Sequence, residues 1–222
     1  MMVMAIVQAR MDSQRFPGKM LAELVDRSVL QHVIERLHDA EEVTSIVVAV
    51  PSQDTVHFAA ICSDLYTVCN APMIAEEDVL ARFVAVMNVN RVPDAQPIVR
   101  VCGDNPLLWP TGVDALIQAF AAEVDYVGYW NGAPLIRTPT GYFAEVVKAG
   151  ALRKLDQNLP NDSLARQHVT ETIYSLLGGY VCRWLQPPAW YTADTPNAAI
   201  DTPDDLCLVK AMLEEDRVPW RK

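Results

Sequence analysis

Residues 3–19 read VMAIVQARMDSQRFPGK, and this stretch decides the fold. Val3 to Val7 is an apolar run that reads as a buried strand ending at Gln8. The loop that follows carries Arg10, Arg15 and Lys19 and is punctuated by Pro17 and Gly18. Three cations within ten residues stand out in a chain whose formal charge is −10. A loop that concentrates positive charge after a first strand, at the carboxyl edge of a sheet, is where an α/β protein holds a phosphorylated ligand.

Working outward, strand-like and helix-like stretches alternate. Val29, Leu30, Val33, Ile34 and Leu37 recur at helical spacing, which predicts a helix over Ser28 to Asp39 with Ser28 as N-cap. Thr44 to Val50 reads as a buried strand, Asp54 to Leu65 as a helix and Tyr66 to Cys69 as a short strand. Glu76 to Asn90 reads as a helix, Pro97 to Cys102 as a central strand, Thr111 to Glu123 as a helix and Val124 to Tyr129 as a strand. This alternation predicts an α/β sandwich, with right-handed crossovers and a mainly parallel sheet covered by helices on both faces. Beyond Asn131 the pattern changes. An extended segment is expected over Thr138 to Val147, helices over Val147 to Asn158 and Ser163 to Leu177, and a strand over Tyr180 to Leu185. A final helix opens at Asp201, Thr202 and Pro203. One domain spanning 1–222 is expected, with residues 134–178 as an acceptor or dimerisation segment.

Bulk properties exclude several function classes. With 51% hydrophobic and 21% charged residues the chain has enough apolar content for a substantial globular core. Its 18 basic against 28 acidic residues argue against a general nucleic-acid binder, which needs a basic face to release counterions. A single nucleotide can still bind at one cationic loop. Five cysteines without a close C-x-x-C pairing argue against a disulfide framework and against zinc, and fit a reduced, cytoplasmic protein. The first apolar run is too short to span a membrane and lacks a basic leader region.

Candidate chemistry gathers at few positions. Arg10, Ser13, Arg15 and Lys19 supply groups that can surround phosphate oxygens, although the loop matches neither G-x-x-x-x-G-K-S/T nor G-x-G-x-x-G. Read blandly, it is a solvated basic loop with a turn. Asp104 follows the strand ending at Cys102, where a carboxylate can hold Mg²⁺ together with phosphate oxygens and water. Residues 103–106 could equally form a simple turn. Asp201 is a second such carboxylate, or merely a helix start. His168, within a predicted helix, and Glu145 are ambiguous between structure and function. The five tryptophans fit the core or an interface.

The stretch ARMDSQRFPGKML resembles the opening signature of the SpsF-type spore-coat polysaccharide cytidylyltransferases. More distantly it is similar to 3-deoxy-manno-octulosonate and acylneuraminate cytidylyltransferases. The resemblance continues through LQHVIERL at 30–37, EDVLARF at 77–83, IVRVCGDNPLL at 98–108, RQHVT at 166–170 and AIDTPDDLCLV at 199–209. It implies a Rossmann-like nucleotide-diphospho-sugar transferase domain that uses CTP and Mg²⁺, moves CMP to a small acceptor and releases pyrophosphate. Arg10, Ser13, Arg15 and Lys19 would hold the triphosphate, with Lys19 and Arg15 catalytic, and Gln8 and Ala9 would lie by backbone near the cytosine. Asp104 and Asp201 would be the catalytic metal carboxylates. Arg100 would serve the nucleotide, and Arg82, Glu145 and His168 the acceptor. The resemblance also suggests a homodimer.

The chain departs from the family pattern at Cys69 to Met73, at Phe143 where an Asp is common, and at Gln167 where a Glu is commoner. The nucleotide half therefore matches better than the acceptor half. An acidic sugar is the expected acceptor, with a phosphonate or a phosphorylated small acid as the alternative. A non-catalytic nucleotide-binding or partner-binding module on the same fold is the rival from another class.

Overall fold

The structure, a computed structural model, describes residues 2–59, 61, 67–71, 74–134, 140–175 and 179–221, with the backbone alone at 67–71. Strand β1 (Met4–Gln8) feeds the basic loop, a 3-10 turn at Lys19–Leu21 and a small ribbon of β2 (Glu23–Leu24) and β3 (Arg27–Ser28). Helix α1 (Val29–His38) opens on Ser28, whose hydroxyl accepts from Gln31 N while the Gln31 side chain accepts from Ser28 N. Then come β4 (Ser45–Pro51), α2 (Thr55–Ala59), β5 (Thr67–Ala71) and α3 (Val79–Val89). They are followed by β6 (Pro97–Cys102), α4 (Pro110–Gln118), β7 (Tyr126–Tyr129), β8 (Glu145–Lys148) and α5 (Ala149–Asn158). Two single-turn helices, α6 (Ala165–His168) and α7 (Glu171–Tyr174), precede β9 (Cys182–Leu185). Helix α8 (Pro203–Glu214) is capped by Thr202 in a reciprocal pair with Asp205.

Among the described residues seven strands form one sheet in the order β5-β4-β1-β6-β8-β7-β9. Neighbours are parallel except at β8, which runs antiparallel to both β6 and β7. The chain therefore folds as the expected mainly parallel, mixed α/β sandwich. β1 is hydrogen-bonded on both sides and buried on both faces, which is why its apolar run does not alternate with polar residues. Val3, Ala5, Val7 and Ala9 join one core with α1, α4 and α8; Met4 and Ile6 join the other with α3 and α5. Gln8 is level with Cys102 at the end of β6 and with Ala49 two residues before the end of β4, so the carboxyl ends of three parallel strands lie at one edge.

Several boundaries differ from the sequence reading. The helix expected over Ser163 to Leu177 is broken at Val169 (φ 57°, ψ −60°), where Thr170 N donates to His168 O at 2.6 Å. This is a γ-turn of positive φ, a strained form for a β-branched residue, and it has no signature in hydrophobic spacing. Leu176 and Leu177 lie outside the described residues. α3 begins only at Val79 because the Asp78 carboxylate accepts from Ala81 N and sets the cap there. Of the helix expected over Asp54 to Leu65, Thr55–Ala59 is helical after a 3-10 turn at Ser52–Asp54, and residues 60 and 62–65 lie outside the described set, as does Tyr66. Within 134–178, β8 is an interior strand of the sheet.

Two glycines of similar φ separate backbone strain from crowding. Gly141 (φ +74°) would place a Cβ 2.2 Å from Ala199 N and 2.3 Å from the Ala198 carbonyl carbon, whereas Gly132 (φ +77°) has nothing within 4 Å. The left-handed conformation alone costs a side-chain residue about 1–2 kcal/mol. Gly132→Ala is therefore expected to lower Tm by about 2–8 °C, and Gly141→Ala by more than about 8 °C. Equal shifts in thermal melts would refute the close approach of Gly141 to the segment that leads to Asp201.

Candidate active site

The carboxyl edge of β1 and β6 opens into a cleft of about 480 Å³. Its chemistry is built around one buried ammonium. Gly18 (φ +72°) turns the basic loop so that Lys19 enters the 3-10 turn and points inward. Lys19 Nζ donates to Asp104 Oδ2 at 2.7 Å, to Ile200 O at 2.7 Å and to Asp201 Oδ1 at 2.9 Å. Its side chain is 7% exposed, against 21% for Asp104 and 27% for Asp201. Burial alone would lower the Lys19 pKa, but the two carboxylates outweigh it and raise the value above 10.5. Asp201 moves the other way: desolvation pushes it up, and Lys19 and Arg15 bring it below the usual 3.8.

The rest of the loop is fixed by a residue whose role the sequence did not signal. Met11 N donates to the buried carboxylate of Asp54 at 2.8 Å, and Gly18 N donates to Met11 O at 2.9 Å. Arg15 reaches Asp201 Oδ2 at 2.9 Å from a largely exposed position. Arg10 is exposed and makes no ion pair within 4 Å among the described residues. Ser13 and the Ala9 backbone also line the cleft.

The opposite wall belongs to α3 and α6. Arg82 lines it while almost wholly buried; its guanidinium donates to the carbonyls of Glu76 and Ala75, and Nε has no hydrogen-bond partner. Burial, then the nearby Arg10, lowers its pKa. Gln167 and His168 line the same wall from α6. α6 is pinned by Arg166, which donates from Nε to Asp78 Oδ2 at 2.8 Å and pairs with Asp156 through Nη2.

The structure thus brings Gln8, Ala9, Arg10, Ser13, Arg15, Lys19, Arg82, Asp104, His168 and Asp201 to one cleft. Arg100 and Glu145 are placed elsewhere. Glu145, expected to contact an acceptor, is fully buried on β8 and does not line the cleft. Its carboxylate pairs with Arg100 and accepts from Tyr126 Oη at 2.7 Å and from Thr170 Oγ1 at 2.9 Å. Arg100 lies beneath Gln8, and with Glu145 beside it its pKa is raised despite complete burial. Lys19 also differs from its expected part, because all three of its N–H donors are taken by protein oxygens. Phe143 is buried, stacked on Trp190 with ring centroids 5.9 Å apart, and does not line the cleft. That departure from the family pattern is a core exchange.

The cleft's donor set fits a hard divalent cation. Among the described residues no three His, Cys, Asp or Glu side chains converge on one point, and the carboxylates that do meet are the two aspartates joined through Lys19. Mg²⁺ is commonly held by one or two carboxylates with water and substrate phosphate. Asp104 Oδ1 has no hydrogen-bond partner among the described residues and is open for that use.

A family model for cytidylyltransferases matches residues 4–206. The chain belongs to the cytidylyltransferase family. It is 29% identical over 220 residues to the spore coat polysaccharide biosynthesis protein SpsF of Bacillus subtilis, covering 96% of this chain and 87% of the other. It is 28% identical to a 3-deoxy-manno-octulosonate cytidylyltransferase of an Anaeromyxobacter species, covering 95% and 96%. The solved structure of a cytidylyltransferase from Leptospira borgpetersenii superposes with a TM-score of 0.75 at 18% identity, covering 100% of this chain and 98% of that one, which supports the fold. Among the described residues no helix is long and apolar enough to cross a membrane.

The depressed Asp201 pKa has a testable sign. Its contribution to stability is present above pH 3.8 and is lost as pH falls through the lower folded value. Asp201→Asn is expected to flatten the acid limb of stability below that pH, measured as urea midpoints between about pH 2.5 and 7. An acid limb of unchanged slope would rule out the Lys19–Asp201 coupling.

Proposed function

We propose that this cytidylyltransferase moves CMP from CTP to a small acidic acceptor of the sugar-acid type. An acceptor oxygen attacks the α-phosphorus in line, a new P–O bond forms, the α–β bridge breaks and pyrophosphate leaves; the acceptor's hydroxyl proton passes to water. The observation that carries this reading is the joining of Asp104 and Asp201 through Lys19 at the mouth of the basic loop. Arg10 and Arg15, the exposed cations there, would hold the departing phosphates. Lys19 would keep the two carboxylates side by side. Asp104 and Asp201 would hold Mg²⁺, which would supply charge neutralisation at the phosphate oxygens.

Arg82 and His168 on the facing wall support an anionic acceptor, since a buried guanidinium with an unpaired Nε raises the local positive potential. The sugar acid named for the Anaeromyxobacter relative is the first acceptor to test.

The experiment is pyrophosphate release from CTP with Mg²⁺ across sugar acids, phosphonates and phosphorylated small acids. Turnover should require one of the sugar acids and stop on chelation of the metal. Asp104→Asn should lose about 10²-fold or more in kcat while CTP binding falls far less. Undiminished kcat in that variant removes Asp104 from the chemistry, and binding of CTP without release for any acceptor removes the proposed reaction.

A further inference from the structure

Successive residues of a strand face opposite sides of the sheet. Met4 and Ile6 lie in the α3/α5 core, so Gln8 faces that side as well, together with Arg82, Gln167 and His168. Ala9 faces the other side, with Met20 and the basic loop. The side chain of Gln8 therefore belongs to the wall opposite the polyphosphate cations, although its backbone lies between the two.

Its amide has only one orientation. Arg100 donates to Gln8 Oε1 from Nη2 at 3.1 Å and from Nε at 3.3 Å. A guanidinium has no acceptor, so the carboxamide oxygen must face it and the NH₂ group must face away. That nitrogen has no hydrogen-bond partner among the described residues and is not sealed from solvent, which leaves it directed to the cleft.

Arg100 is itself held by Glu145, its level neighbour on β8, and the same carboxylate accepts from Thr170, two residues beyond His168. One buried carboxylate thus sets Gln8 through Arg100 and anchors the far end of the turn that carries His168. We infer that Gln8 contacts the acceptor, presenting two N–H donors to an oxyanion or hydroxyl, and that Arg100 and Glu145 are positioning residues for it. The inference rests on the acceptor reading above and adds a specificity residue to it.

Steady-state pyrophosphate release with CTP and 3-deoxy-manno-octulosonate tests it. Gln8→Glu keeps an oxygen for Arg100 but turns an acceptor where a donor stood. It is expected to raise KM for the sugar acid at least about 10-fold while KM for CTP stays within about 2-fold. Arg100→Lys, which keeps a cation beside Glu145, is expected to shift the same constant and to broaden the Gln8 carboxamide signal in ¹⁵N-labelled protein. A raised KM for CTP with an unchanged acceptor constant overturns the proposal.

If the wild-type protein does not turn over that sugar acid, the acceptor identity fails separately. The Gln8 carboxamide signal then decides, in protein saturated with CTP and Mg²⁺ and titrated with inorganic phosphate. Displacement by phosphate upholds a donor on the acceptor wall. Displacement by CTP alone, or by neither ligand, overturns it.

Discussion

Lys19 is the point at which the fold and the site depend on each other. Its ammonium joins the loop after β1, Asp104 after β6, and the Ile200 carbonyl and Asp201 carboxylate ahead of α8. These segments are separated by 85 and 181 residues, so no local propensity could bring them together. A buried lysine without partners would shed its proton or leave the interior. Two carboxylates without the lysine would repel one another. Each element therefore makes the others tolerable, and the order of the sheet supplies the proximity. Because β1 and β6 are parallel neighbours, the loops after both emerge at the same edge.

That edge also divides the site. Residues alternate across β1, so Ala9 and the basic loop lie with the α1 core while Gln8 lies with α3 and α6. A sheet edge offers two walls of independent construction to one cleft. The wall with the cations is made by a loop tied to Asp54 and Lys19. The other is made by short helices tied to Asp78 and Glu145. Changes in one wall need not disturb the other.

The half of the molecule up to Tyr129 was largely legible in the sequence because β1, β4, β6 and β7 are buried on both faces and α1 and α3 carry apolar spacing and side-chain caps. Ser28 with Gln31 is a cap made by neighbouring residues, and so, in the other half, is Thr202 with Asp205. The basic loop and both aspartates were legible for a related reason: charge stands out beside apolar strands. Glu145 was not. A carboxylate within an apolar strand looks like a ligand contact, and only the pairing of β8 with β6 shows that Arg100 stands level with it. Phe143 misled similarly, since its partners Trp109, Tyr129 and Trp190 are dispersed along the chain.

The break at Val169 explains why a strained turn can be retained there. In a continuous helix Arg166 and Thr170, four residues apart, would share a face. The turn lets Arg166 reach Asp78, the cap of α3, while Thr170 reaches Glu145 inside the sheet. A positive φ at a β-branched residue costs on the order of 1–3 kcal/mol. Hydrogen bonds from a hydroxyl to a buried charged group contribute about 1.5–3 kcal/mol, so the Thr170–Glu145 contact can offset the strain. Val169 itself is fully buried against the α3/α5 core, which holds the turn from beneath. The result is a wall whose position depends on a carboxylate that never reaches the cleft, and a buried ion pair acts on the site by fixing where other side chains stand.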